Sequence, residues 1–391
     1  VDNVELDYES STTVNVTTEG TTGITAKIDG KDIAVAGYTI PISGLNAENH
    51  TLTIITIPDK NHLAISKSVN VPVRKINSTL TADDVELDYE SSIDVNVTVK
   101  GTTGIIAKID GKDIEVDGYT IPISGLNAGN HTLTITTIPD ENHISINKSV
   151  NVNVNKIDST LAVDNVNMDY GETTSINVTT KGATGITAKI DGKEVSVNDY
   201  TIPISGLKAG KHTLTITTIP DENHTTTTKT ANITINKISS TVNVNETVLD
   251  YGDTTNVSVI TEGAVGFAAK IDNQDVNVID NLIPISNLKA GNHTLTITTI
   301  PDTNHTATTK TAAITVNKIS STINVNDIAL DYGSSVNVNV TSKGATGITA
   351  KIDGKDIAVN GYAIPISGLN AGKYTLTVTT IPDENHNPTA E

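Results

Sequence analysis

Ile186-Thr187-Ala188-Lys189-Ile190-Asp191-Gly192-Lys193-Glu194-Val195 is the stretch whose reading decides the fold. Ile186, Ala188 and Ile190 fall on one side and Thr187 and Lys189 on the other, the two-residue period of a half-buried strand. Asp191-Gly192 then supplies a two-residue hairpin turn, because both central positions of such a turn need positive φ. The chain returns over 194–197 as the next strand. The same alternation continues in both directions. A first strand is expected over 160–166, and a second turns Ile176 and Val178 inward with Asn177 and Thr179 outward. Tyr200, Ile202 and Ile204 form the inward face of the fifth, where Pro203 marks a sheet edge or a bulge. Leu214 and Ile216 point inward on the sixth, and Ala231, Ile233 and Ile235 on the seventh. Seven short strands rich in Thr, Val and Ile, with no helical period, predict an all-β unit: a seven-stranded antiparallel sandwich.

That unit is copied along the chain. Asp7-Tyr8 recurs at Asp88-Tyr89, Asp169-Tyr170, Asp250-Tyr251 and Asp331-Tyr332, always at an interval of 81. Pro41, Pro122, Pro203, Pro284 and Pro365 keep the same interval, as do Pro58, Pro139, Pro220, Pro301 and Pro382. A fixed period identifies a repeat architecture. The expected units are 1–76, with its first strand incomplete, 77–157, 158–238, 239–319, and 320–391, which lacks the last strand. On that alignment the chain reads as a piece of a longer protein. Unit four departs most: Asn273 takes the turn glycine's place, Asn281 that of the inward tyrosine, and Phe267 enters the third strand. Phe267 is expected to fill the volume that the tyrosine leaves.

Composition narrows the function. The formal charge of −19 comes without the Lys/Arg clusters that phosphate binding needs, so nucleic acid is not an expected partner. No apolar run approaches the ~20 residues of a membrane span, so no membrane contact is expected of this segment. There is no Cys and no Gly-rich phosphate loop, Ser and His do not cluster, and carboxylates scatter over turns and joints. No enzyme activity, cofactor or metal is expected.

Leu369-Asn370-Ala371-Gly372-Lys373-Tyr374-Thr375-Leu376, followed by Asp383-Glu384-Asn385-His386-Asn387-Pro388-Thr389, resembles the bacterial Ig-like repeat of the group 3 type. Such modules occur in long tandem arrays, notably in adhesin-like surface proteins of methanogenic archaea. The resemblance covers all five units and implies an Ig-like fold and an extracellular, cell-surface or cell-wall setting. It also implies that Tyr374 is a tyrosine corner at the sixth strand. His50, His131, His212 and His293 hold that position in the other units, where an imidazole could make a similar backbone hydrogen bond.

A second histidine series, His62, His143, His224, His305 and His386, lies in the Pro-Asp-x-Asn-His loop. That loop is expected to approach the Asp-Tyr loop of the preceding unit, where Asp88, Asp221 and Asn223 form a grouping that could hold Ca²⁺. The plainer reading is turn chemistry, with Asn in the left-handed region. Alternation turns Lys27, Lys108, Lys189, Lys270 and Lys351 outward, a solvated face rather than a buried cross-link. Among many Asn-x-Ser/Thr acceptors, Asn15, Asn96, Asn177, Asn256 and Asn339 are read as one position on the solvent face of the second strand, candidates for glycosylation.

Almost no residues separate the last strand of one unit from the first of the next, for example Asn155-Lys156-Ile157. Five sandwiches so joined predict an elongated, semi-rigid monomeric rod. The expected function is a non-enzymatic extracellular stalk or adhesin segment, whose partner is a host or neighbouring-cell glycan or protein. Two alternatives stand: a multivalent module in which each repeat binds by avidity, or a spacer for a catalytic domain outside this segment.

Overall fold

The computed structural model describes residues 1 and 3–391. Among these residues all the regular structure is strand, gathered around five separate apolar cores. The expected sandwich is present, and unit three shows its plan. One sheet runs in the order Val166–Asp169, Thr228–Asn236, Gly210–Pro220, Ala183–Ile190, Lys193–Val195. Facing it, Thr174–Asn177 pairs with Thr201–Ile204, and Thr160–Ala162 with Thr179–Lys181. Ile202, Leu214, Ile216 and Ile233 are completely buried between the sheets, and Pro203 sits on a strand paired on one side only. The turn at Asp191-Gly192 has φ of 50° and 80°, and in unit four Asp272-Asn273 adopts 50° and 70°.

Two details differ from the sequence reading. The first strand is two strands, and the second of them, Val166–Asp169, crosses to the other sheet and pairs in parallel with Thr228–Asn236. The crossing has a cause: Asn165 interrupts the alternation, and its Oδ1 accepts the Asn232 amide at 2.7 Å. Asp84 does the same for Asn151 at 2.8 Å in unit two. A side chain thus stands in for the ladder partner while the backbone changes sheets. Tyr200 is likewise not fully inward. It packs half-buried at the core's edge and donates its hydroxyl to Ala183 O at 3.1 Å, and Tyr38, Tyr119 and Tyr362 are about 40% exposed.

In unit four Phe267 is 7% exposed within the core, while Asp280 and Asn281 form a turn with φ of 48° and 62°. In unit five the first sheet has three strands, and its sixth strand is shortened to Leu376–Pro382. The residues that the last strand sends inward are Ala312, Ile314 and Val316 in unit four, in register with Ala231, Ile233 and Ile235 of unit three.

Candidate functional site: the joints between units

Each joint is built from the end of one last strand and the loop before the next one. Thr228–Asn236 gives way, after Lys237 alone, to Ile238–Ser239, which pairs in parallel with His305–Thr306 of unit four. Lys75, Lys156 and Lys318 are the corresponding single residues elsewhere. Just beyond, Ser159, Ser240 and Ser321 are buried: the Ser159 hydroxyl lies 2.7 Å from Thr218 Oγ1 and donates to Thr225 O at 2.9 Å. The residues on either side of each connecting lysine are therefore held as strand, and a single residue lies between them.

Across the joint, the loop histidine is the centre. His224 Nδ1 lies 2.6 Å from Asp221 Oδ1, one face of its ring lies on Gly182, and it makes a T-shaped contact with Tyr89 of the preceding unit, the ring centres 5.4 Å apart at 77°. A Cβ on Gly182, whose φ is +75°, would sit 2.3 Å from the imidazole, so this position accepts only glycine. Tyr8–His143, Tyr170–His305 and Tyr251–His386 repeat the contact at 5.3 to 5.5 Å. Beside it, Asn223 Oδ1 accepts the Ala128 amide of the previous unit at 2.7 Å, as Asn142, Asn304 and Asn385 do for Ala47, Ala209 and Ala290. None of these asparagines has positive φ, so the left-handed turn reading is wrong for them. Their value is the side-chain carbonyl that spans the joint.

Hydrogen bonds engage one side-chain oxygen of each member of the calcium grouping. Asp221 Oδ1 holds His224 and the Asn223 amide, Asn223 Oδ1 holds Ala128, and Asp88 Oδ1 accepts from Asn155 at 3.3 Å. Among the described residues no three His, Cys, Asp or Glu side chains gather to hold an ion.

Ion pairs vary from joint to joint. Lys100–Glu9 at 2.9 Å and Lys181–Glu90 at 3.0 Å cross the first two, and Lys289–Glu384 the last. At the joint of units three and four the equivalent positions are Gly171 with Glu262 and Lys208 with Thr303. Exposed pairs contribute at most about 1 kcal/mol. An edge-on aromatic pair adds about 0.5–1.5 kcal/mol beyond area burial, and each hydrogen bond about 1 kcal/mol. The recurring Tyr–His–Asn set, present at all four joints, is thus the stronger determinant.

The corner residues lie at the other end of each sandwich. His212 Nδ1 is 2.6 Å from Asp191 Oδ2 and Nε2 is 2.8 Å from Lys208 O, while Asp191 Oδ1 accepts the Thr213 amide. A carboxylate and a carbonyl only accept, so both ring nitrogens are satisfied together only in the imidazolium. The Asp191 bond, then that to Lys208 O, holds the His212 pKa above its ordinary value, and the same His212 bond, then the Thr213 amide, holds Asp191 below its own. His50, His131 and His293 make the same two contacts. Tyr374 instead donates its hydroxyl to Asn370 O at 3.0 Å and leaves Asp353 with the Thr375 amide.

The Lys27, Lys108, Lys189, Lys270 and Lys351 series lies outward, each 3.2 to 3.8 Å from a carboxylate on the neighbouring strand. Asn15, Asn96, Asn177 and Asn339 are exposed and stand opposite Thr39, Thr120, Thr201 and Ala363. Asn256 does not share that position. It faces Pro284, two residues away along the strand, and Ser258 occupies the common site opposite Leu282.

No protein-family model matches the chain, and no curated protein matches it in sequence. Among solved structures it is similar to Sidekick-1 immunoglobulin domains 1–5, with a TM-score of 0.26 and 10% identity over 99% of this chain and 95% of that one. It is also similar to Drosophila N-cadherin EC1-4, with a TM-score of 0.25 and 9% identity over 81% and 99%. Clostridium thermocellum CbhA fibronectin(III)-like modules are matched at a TM-score of 0.19 and 16% identity over 40% and 94%. At scores this low the architecture rests on the strand pairings above: the chain is a tandem array of Ig-like β-sandwiches.

Proposed function

We propose that this chain is a non-enzymatic extracellular stalk or adhesin segment, in which five sandwiches joined end to end form a semi-rigid rod. One observation carries the reading. All four joints have a single connecting residue and the same Tyr–His and Asn–Ala contacts, so each unit is fixed to the next in one way. A unit about 30–40 Å long, from ~3.3 Å per strand residue, makes the rod on the order of 150–200 Å. Small-angle scattering of the 391-residue chain is expected to give that maximum dimension, in dilute solution and as a monomer; a compact globule would refute the reading. The finer placement, among adhesin-like proteins of the group 3 Ig-like type, is supported by the sequence motifs at 369–376 and 383–389 alone.

A multivalent binding role draws on a different observation. Tyr38, Tyr119 and Tyr362 keep about 40% of their surface open, and a repeated open aromatic is what a sugar or protein ligand stacks upon. Binding of a two-unit segment on a glycan array, abolished by Tyr119→Ala, distinguishes this role from that of a spacer. Glycosylation is proposed at Asn15, Asn96, Asn177 and Asn339, whose amides are open to solvent; Asn256 lies at a different place on the strand. Mass spectrometry of protein from its native source, with and without Asn→Gln at each, tests it.

A further inference from the structure

The five units are near-copies, so a place where one of them changes several neighbouring surface residues together is informative. Such a place lies on the outward face of the second sheet of unit four. Units one, two, three and five there present Asn15, Asn96, Asn177 and Asn339 with Thr17, Thr98, Thr179 and Thr341 two residues on. Unit four presents Ser258 and Ile260. Opposite, Thr39, Thr120 and Thr201 become Leu282, and Asn198 becomes Ile279. These apolar side chains adjoin. Ile279 and Leu282 are bridged to one another, Leu282 faces Ser258, and Ile260 is its diagonal neighbour along that strand.

Ile260 is 65% exposed, Ile279 61% and Leu282 37%. Water gains nothing from these substitutions, and neither does the core, because Val259 and Ile283 between them already point inward. Asn243 and Asn256 flank the patch without charge. Its carboxylates, Asp253, Glu262 and Asp280, stand at the rim. Val248 and Val265, also exposed in this unit, lie in the other sheet.

We propose that this face is a self-association surface, by which two copies of the chain lie side by side through their fourth units. In a chain of net charge −19 most surfaces repel a second copy. This stretch is uncharged at its centre and apolar, and it can meet its own image as two sheets pack, face to face with side chains interleaved. A second copy leaves no charge buried and unpaired at the centre of the contact, where each face offers only uncharged side chains, and the carboxylates Asp253, Glu262 and Asp280 stay at the solvated rim. Three side chains supply on the order of a few hundred Å² per copy, below the ~800 Å² per partner of a stable interface. The pairing is therefore weak, concentration-dependent, and strengthened by salt that screens the carboxylates. It does not depend on whether the array serves as spacer or binder.

Sedimentation velocity of the whole chain, from micromolar to near-millimolar concentration and at low and high salt, tests the proposal. A reversible dimer that grows with both is expected. The triple variant Ile260→Thr, Ile279→Asn, Leu282→Thr restores the residues of unit three, so its fold is retained, and it is expected to weaken the dimer about tenfold or more. Thr179→Ile with Thr201→Leu in unit three is expected to add a second pairing site and raise the association order. A wild-type chain monomeric throughout overturns the proposal, as does a dimer that survives the triple variant. Binding of the monomer to phosphatidylcholine vesicles, lost in the triple variant, also overturns it and assigns the face to a lipid surface.

Discussion

At the scale of single residues the joint turns on contacts that exclude alternatives. Gly182 is the sharpest. Alanine there meets the His224 ring at 2.3 Å and must hold φ near +75°; left-handed backbone alone costs a non-glycine residue roughly 1–2 kcal/mol. Gly182→Ala is expected to lower the stability of unit three by about 2 kcal/mol or more and to expose His224 to solvent, measurable by chemical denaturation and by the ring's NMR shifts. His62, whose unit has no tyrosine before it here, shows what the joint covers: its side chain is 55% exposed against 6% for His224. The period made the Asp-Gly turns and the corner histidines legible, because turn chemistry and strand alternation are local. The meeting of the His224 loop with the Asp88-Tyr89 loop of the preceding unit was legible too, whereas the seating of the His224 ring on Gly182 was not. Its one trace in the sequence is a glycine at the same place in every unit, Gly20, Gly101, Gly182, Gly263 and Gly344.

At the scale of strands and turns, the corner ties the third-to-fourth strand turn to the start of the sixth strand, and it titrates. The pKa of His212 is raised, so its contribution is complete below the unfolded value near 6.5 and is lost as pH rises through the higher folded value. Asp191 is lowered, so its contribution is present above 3.8 and lost as pH falls through the lower folded value. Units one to four are expected to be most stable between those limits and to lose melting temperature as pH rises above about 6.5. His212→Gln should flatten that slope for unit three, while unit five, with Tyr374, shows none of it. A separate expectation concerns the fifth unit as this chain has it: with a three-stranded first sheet it melts before unit three, and equal melting temperatures would count against that. The sandwich was readable from alternation, whereas the change of sheet after Thr160–Ala162 was not. Alternation reports which face is buried, not which sheet a strand joins, and only the recurring acid or amide at Asp84 and Asn165 hinted at the crossing.

At the scale of the molecule, the joints differ in degree. Units three and four meet without either of the ion pairs that cross the other joints, so bending is expected there first. Because such pairs contribute so little, the difference is one of amplitude: spin labels spanning the second and third joints should give distance distributions with similar means and a broader spread for the third. Restoring a pair with Gly171→Glu and Glu262→Lys is expected to narrow it. Whole-chain geometry was the least legible level, since a short linker limits the bend but only the cross-joint bonds fix its direction. Near-identical neighbours also carry a hazard, since a strand of one unit fits the sheet of the next. Refolding yield is expected to fall as units are added.

The parallel pair in each sandwich bears on what happens when such a chain is pulled. In unit two the chain enters through Ile76–Asn77 and Thr79–Thr81, and just beyond them Val85–Asp88 runs side by side, in the same direction, with Asn147–Asn155, by which the chain leaves the unit. Tension applied through the neighbours drags one lengthwise against the other, so their ladder bonds are sheared together instead of parting one after another like a zip. The strand crossing that sequence alternation concealed therefore gives each complete unit a clasp that tightens along the line of load.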